Sequence, residues 1–338
     1  MSYRIVDSAV DGNRYLRMES NPGGEYAVIL PEYGGSVHQL ALHEKEDEKA
    51  DESRRAPGNV EAKKLLENDS AEEIRQNPWF RGRILFPFDD RVYKGQYTFE
   101  GQSYQLPIND PEGQDALHGF LHSQSLKCSS HEGGKNRARV VLEGDIADKP
   151  GYPFHLHIKV EYILDADGFH LDIKIHNQGN GSAPFSVGWH PYFTLFTDPA
   201  EPIRPPGPNV DDLQLLLPSE GYIETDEKQL PSGLVLPVKN TELDFRNSRA
   251  IGQMQLDHGF VNKEGYMELC NGNTLLRILQ SELFSYSQVF IPPHRSSVAL
   301  EPISAGTDAF NFSQLGLRVL SPGESVRGTI SVLLSRVR

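Results

Sequence analysis

The segment from Phe154 to His176 constrains the fold of this chain more than any other. Phe154, Leu156, Ile158, Val160, Tyr162 and Leu164 alternate with polar residues, and Phe169, Leu171, Ile173 and Ile175 resume the rhythm after Asp165-Ala166-Asp167-Gly168. Side chains along a strand point to opposite faces with a period of two, so the pattern describes two strands that each bury one face. The tetrapeptide between them is rich in turn formers. The whole reads as a long antiparallel hairpin.

Other stretches repeat the theme. Residues 24–42, GEYAVILPEYGGSVHQLAL, hold two short β-prone runs around Pro31-Glu32-Tyr33-Gly34-Gly35, the mark of a hairpin. Gln96 to Leu106 alternates around Glu100-Gly101, with Tyr97 and Phe99 facing one way and Tyr104 and Leu106 answering them. Further β-prone runs cover Thr274 to Leu279, Tyr286 to Ile291, Ser297 to Glu301 and Val326 to Leu334. No βαβ alternation and no internal repeat is visible, so the fold class is all-β, a large antiparallel β-sandwich with few short helices. At 338 residues the length leaves one or two domains open, because large sandwiches run past 200 residues as one unit.

Two stretches interrupt the pattern. Residues 43–77 are charged and poor in aromatics, which predicts a solvated excursion carrying one short helix near Val60 to Glu67. Residues 198–212, DPAEPIRPPGPNVDD, predict an irregular surface loop.

Composition narrows the function classes. Forty-seven acids against 33 bases give a formal charge of −14, which repels nucleic acid and anionic lipid and favours a small neutral or cationic ligand. No run approaches the length of a membrane span, and the N-terminal stretch has no apolar core of a secretory signal, so the expected location is cytoplasmic. Cys128 and Cys270 are far apart and form neither a disulfide framework nor a thiolate metal site. GxGxxG, Walker A, GxSxG and EF-hand signatures are all missing, so nucleotide cofactors, serine hydrolysis and calcium lack their usual marks. No cofactor is expected.

Within this scaffold FSVGWHPYF, residues 185–193, sets one histidine among aromatics, a setting that selects against an ionisable side chain without a partner or a task. His155, His157, His170 and His176 fall on the polar face of the long hairpin, where a wet sheet surface explains them better than a metal. His118 and His122 are four apart but lack the intervening Glu of a zincin, and Gly119 disfavours a helix. The remaining polar residues in apolar or turn-rich settings are Arg91, His118, His190, Asp257 and Glu301. Each has a structural alternative: an ion pair or turn role for Arg91 and Asp257, a hairpin position for His118, a buried core imidazole for His190, and a solvated strand end for Glu301 at the rim of a sheet. Trp79, Trp189, Tyr192 and Phe193 are candidates for stacking on a ligand, or ordinary core.

The ordered segments GRILFPFDDRVYKGQYTFEGQSYQL, ALHGF, GWHPYF, LDFR, LDHGF and LEPISAGTDAFN resemble the aldose 1-epimerase, or galactose mutarotase, family. The resemblance spans nearly the whole chain from about residue 24, outside the two interruptions. It implies one domain over residues 1–338, a β-supersandwich whose concave face binds a pyranose without metal or cofactor. Residue by residue, it implies that His190 is the general acid toward the ring oxygen and Glu301 the general base on the anomeric hydroxyl. His118, Arg91 and Asp257 match the family's substrate-contacting residues. Three positions depart from the family pattern: Asp90 where Asn is common, Phe120 where a second glycine is, and Trp189 where Asn is frequent.

The chemistry fits these residue types on its own terms. Exchanging α and β hemiacetals needs one group to take the C1 hydroxyl proton and another to protonate the ring oxygen, with the roles reversed on closure. One carboxylate and one imidazole suffice. A sugar-binding protein without catalysis, and a hexose-phosphate 1-epimerase drawing on Arg81, Arg83 and Arg91, remain the alternatives. A two-carboxylate hydrolase has no second acid in these motifs. The oligomeric state is not encoded in any of these patterns.

Overall fold

The computed structural model describes residues 2–10, 12–46, 61–110, 113–195 and 209–337. Among them antiparallel β structure dominates, arranged chiefly in three sheets of five, ten and eight strands. The long hairpin forms as its alternation requires: Leu156–Asp165 pairs antiparallel with Phe169–Asn177, Leu164 opposite Phe169. Apolar residues at alternate positions are buried and the intervening polar ones are not. At its turn the Asp165 carboxylate accepts hydrogen bonds from the backbone N–H groups of Asp167 and Gly168 at 2.7 and 3.2 Å. Gly168 is needed there, because its φ of 146° is joined by a Cβ position only 2.4 Å from the Val332 carbonyl oxygen.

This hairpin is central to the ten-stranded sheet, flanked by Arg137–Ile146 on one side and Ser325–Arg336 on the other. The eight-stranded sheet runs in the order Pro231–Pro237, Gly221–Thr225, Asp257–Val261, Tyr286–Phe290, Val298–Ile303, Gly188–Trp189 and Ile84–Leu85. Tyr192–Phe193 also pairs with Val298–Ile303. Buried side chains of all three sheets, including Leu16, Met18, Ile158, Ile173, Phe260, Val289 and Leu300, belong to one continuous hydrophobic cluster. The hairpins expected within 24–42 and around Glu100-Gly101 are present, and in the latter Tyr97 stacks on Tyr104 with centroids 5.0 Å apart.

The expectations for the interruptions need correction. Residues 47–60, including Val60, lie outside the described residues. From 61 onward the chain is extended rather than helical, and Lys63–Lys64 pairs with Ser36–Leu42. Leu65 and Leu66, just past that strand, are buried in the core, and Leu66 bridges to Phe193, so apolar burial outweighs local helix propensity. The helix is Ala71–Gln76, started by a capping box between Ser70 and Glu73. Asp69 and Ile74 are also buried, so this end of the charged stretch is not a solvated excursion. Residues 198–208 lie outside the described residues, while Val210–Asp212 forms a 3-10 turn with Val210 buried.

Candidate functional site

The strand Val298–Ile303 is buried at all six positions, so Glu301 does not sit at a sheet rim as its place before Pro302 suggests. It lies inside the sheet, opposite Gln288 of Tyr286–Phe290, which in turn lies opposite Gly259 of Asp257–Val261. Asp257 is two residues before Gly259, hence on the same face, and its carboxylate accepts a 2.7 Å hydrogen bond from the Gln288 side-chain amide. Asp257, Gln288 and Glu301 therefore line one patch of sheet.

His190 is delivered to that patch by the turn after Gly188–Trp189. Its backbone N–H donates to the Arg83 carbonyl at 3.0 Å, and its carbonyl accepts from Gly82 N–H at 2.8 Å. Gly82 is required by close packing: its φ is 68° and a Cβ would stand 2.0 Å from the Val37 carbonyl oxygen. The Trp189 indole donates to the Gly82 carbonyl at 3.2 Å and is wholly buried, so Trp189 locks the turn from behind. His190 Nε2 then stands 3.5 Å from Glu301 Oε1, with side-chain exposures of only 7% and 3%.

His118 closes the other side. It holds a left-handed backbone conformation, φ 60°, a costly state for a residue with a Cβ. Its N–H donates to the Asp90 carbonyl at 2.9 Å, and its Nδ1 lies 3.2 Å from the Asp89 carbonyl oxygen. That acceptor places the proton on Nδ1 and leaves Nε2 as the free lone pair. Gly119 must be glycine here, since a Cβ would lie 2.2 Å from the Phe86 carbonyl oxygen. Arg91 is held by Asp115 at 2.9 Å, with Asp110 at 3.8 Å and Asp90 at 4.0 Å, while its buried Nε–H has no hydrogen-bond partner among the described residues. It is thus both an ion-paired residue and a cleft wall.

These residues share one cleft of about 190 Å³, lined by Arg91, His118, His190, Asp257 and Glu301 together with Pro78, Trp79, Phe80, Asp89, Asp90, Leu117, Tyr192, Gln288, Phe290 and Ile303. Clefts that hold drug-sized ligands measure roughly 300–1,000 Å³, so this volume suits a smaller molecule. Of the four aromatic candidates, Trp79 and Tyr192 reach the cleft; Trp189 and Phe193 are core. Of the three departures from the family pattern, only Asp90 touches it, since Phe120 packs against Phe88 instead. Phe80, Gln288 and Phe290 were not evident from the sequence. Gln288 carried a signal, a polar residue on the strand antiparallel to Glu301; Phe80 carried none.

Burial sets the electrostatics. It raises the Glu301 carboxyl well above the usual range, helped by the negative charges of Asp90, Asp257 and Asp89. It lowers His190 well below the usual imidazole value, helped by His118 and Arg81. It pushes Asp257 up to about 6, again with Asp90 contributing. Both shifts favour the neutral forms, a protonated Glu301 carboxyl and an uncharged His190 imidazole, over an ion pair. Among the described residues no group of three or more His, Cys, Asp or Glu has metal-holding geometry, and no helix is long and apolar enough to cross a membrane. The pair His155 and His157 shares Asp145 on the outer face of the ten-stranded sheet.

Comparison with known proteins gives the same direction. A rat galactose mutarotase is 27% identical over 201 residues, covering 56% of this chain and 54% of the relative. The uncharacterised protein YihR of Escherichia coli is 30% identical over 251 residues, covering 73% of this chain and 76% of its own length. The crystal structure of a galactose mutarotase-like protein from Clostridium acetobutylicum superposes with a TM-score of 0.82, at 18% identity and 99% coverage of both chains. A galactose 1-epimerase from Lactobacillus acidophilus superposes with a TM-score of 0.76, at 19% identity and 99% coverage of both. These two share the fold. The family model for aldose 1-epimerase matches residues 20–333, and the chain belongs to that family.

Proposed function

We propose that the protein is an aldose 1-epimerase acting on a neutral hexose or a close derivative. The observation that carries this reading is the 3.5 Å approach of His190 Nε2 to Glu301 Oε1, both buried, in the wall of one cleft. The anomeric oxygen and the ring oxygen are bonded to the same carbon, so an acid and a base serving them must lie within one sugar ring of each other. In the charged form of the pair, reached from the neutral one by moving the proton of Glu301 to His190, the carboxylate takes the C1 hydroxyl proton while Nε2 gives its proton to the ring oxygen. The C1–O5 bond breaks and an aldehyde forms. The pair is then neutral on both sides. Rotation about C1–C2 followed by the reverse transfers closes the other anomer. The net charge of the pair is the same in both states, so the buried site never has to accommodate a new charge.

Arg91, His118 and Asp257 are assigned to the sugar hydroxyls, supported by the Arg91 Nε–H, which has no hydrogen-bond partner among the described residues, and the free Nε2 lone pair of His118. A phosphorylated sugar fits less well. Arg81 is engaged by Asp69 and Glu67, Arg83 by Asn77 and the Ile74 carbonyl, and Arg91 by Asp115, while Asp89, Asp90, Asp257 and Glu301 line the cleft. Polarimetry on freshly dissolved α-glucose and α-galactose tests the proposal. Acceleration of the optical relaxation is expected; saturable sugar binding with unchanged relaxation would establish a silent binding protein in its place.

A further inference from the structure

A histidine that hands over a proton must aim one nitrogen, and the common device is a hydrogen bond at the other nitrogen. His190 lacks it. Its Nδ1 is buried without a hydrogen-bond partner of acceptable geometry among the described residues, the residue's own main chain being only a polar neighbour. What does fix the ring is aromatic. The Tyr192 ring lies parallel to it, with centroids 4.9 Å apart and planes 4° from coincidence, and His118 meets it edge-on at 5.3 Å.

The sequence His190-Pro191-Tyr192 builds this stack locally. Residues two apart on an extended chain project to the same side, and the proline between them fixes its own φ. Tyr192 is held in turn from several directions. Its backbone pairs with Ala299 on the strand that carries Glu301, and its carbonyl accepts from Glu67 N–H at 2.9 Å. Its ring meets Phe290 edge-on at 6.2 Å. The Arg81 guanidinium lies over the same ring, its central carbon 5.6 Å from the centroid, anchored by Asp69 at 2.6 Å and Glu67 at 3.1 Å.

We propose that Tyr192 is the positioning residue of His190, clamped by Arg81, and that the stacked phenol sets the plane in which Nε2 offers its proton. The inference rests on reading His190 as the general acid. Tyr192 acts through the imidazole, so its ring matters and its hydroxyl does not.

The test compares Tyr192→Phe, Tyr192→Leu, Tyr192→Met and Arg81→Lys with the parent. Each is checked for fold by near-UV circular dichroism, with the His190 Hε1 proton resonance assigned through His190→Asn. In the parent this proton is expected to be displaced upfield by the Tyr192 ring current. Tyr192→Phe keeps the displacement and keeps kcat within about threefold. Tyr192→Leu loses the displacement and lowers kcat by roughly 100-fold with KM within about threefold, the scale of a small misplacement of a catalytic group. Tyr192→Met is a flexible apolar filler and carries the same expectation if the leucine variant fails to fold. Arg81→Lys keeps the charge but not the planar fork and should weaken both readouts partway. A leucine or methionine variant with parental kcat overturns the proposal, as does a Phe variant as impaired as Leu, or a change confined to KM. If the parent accelerates no sugar's mutarotation, the functional reading fails. The resonance displacement then decides the clamp by itself, and its persistence in the Leu and Met variants overturns it.

Discussion

The hairpin Leu156–Asp165 and Phe169–Asn177 and the strand Val298–Ile303 are both β structure, yet they follow opposite rules. In the hairpin every second residue reaches solvent, and its histidines stay partly exposed, two of them beside carboxylates: His157 has 26% of its side chain exposed and lies 3.0 Å from Asp145, and His170 lies 3.2 Å from Asp165. In Val298–Ile303 nothing reaches solvent, and the one ionisable residue, Glu301, is buried against His190. A wet sheet face lets a histidine keep its ordinary surroundings, whereas a sheet covered on both faces forces its ionisable groups into contact with each other. Alternation marks scaffold, and its failure around a charged residue marks chemistry.

The sharpest way to break that comparison is at Glu301. Replacing it by Gln keeps the shape and removes the proposed base, so mutarotation measured by polarimetry should fall by about 10²–10⁴-fold while circular dichroism shows the fold intact. His190→Asn should behave alike. A fully active Glu301→Gln would mean that burial of a carboxylate here has a structural cause alone. The scaffold counterpart is Ile173→Ala on the buried face of the hairpin, which should cost about 2–5 kcal/mol in urea unfolding and leave the activity of each folded molecule unchanged.

A smaller effect separates the two environments by pH. Asp257 is raised from its ordinary 3.8 to about 6, first by burial and then by Asp90, so the folded state binds its proton more tightly than the unfolded chain. Its contribution to stability is complete below the unfolded value and is lost as pH rises through about 6. Asp257→Asn does not ionise, so its stability relative to the parent should climb between about pH 4 and about pH 7, by at most about 3 kcal/mol. A relative stability that does not change with pH would show that the Asp257 carboxyl is not shifted. The smallest effect belongs to the wet face: His157→Ala should stay within about 0.5 kcal/mol and leave activity untouched. A larger loss would give the outer histidines a role that their exposure does not suggest.

Legibility in the sequence followed the same division. The hairpins at 96–106 and 154–176 were readable because one side of each faces water and prints a period of two, whereas the largely buried hairpin at 24–42 was readable from its β-prone runs around the Pro31–Gly35 turn. The helix was misplaced because Leu65 and Leu66, which look like helix formers in a charged stretch, are held extended by the core, while the Ser70 and Glu73 capping box starts the helix four residues further on. Glu301 looked like a strand end because Pro302 follows it, yet Pro302 stays in the strand opposite Ser287. Trp189 and Phe193 looked as available to a ligand as Tyr192, and only their packing removes them from the cleft.

The sequence by itself determined the β class of the fold, the turns that depend on particular glycines, and the five polar residues around which the cleft forms. Those properties are local: they follow from side-chain alternation, turn chemistry and an ionisable group placed among apolar neighbours. Tertiary structure alone decided that Glu301 meets His190, that Gln288 and Phe80 join the wall, and that a tyrosine two residues away holds the imidazole in place of a hydrogen bond. Proton affinities depend on burial and on charges brought in from strands far apart in the chain. Residue type cannot record that distance; only the closed sheet sets it.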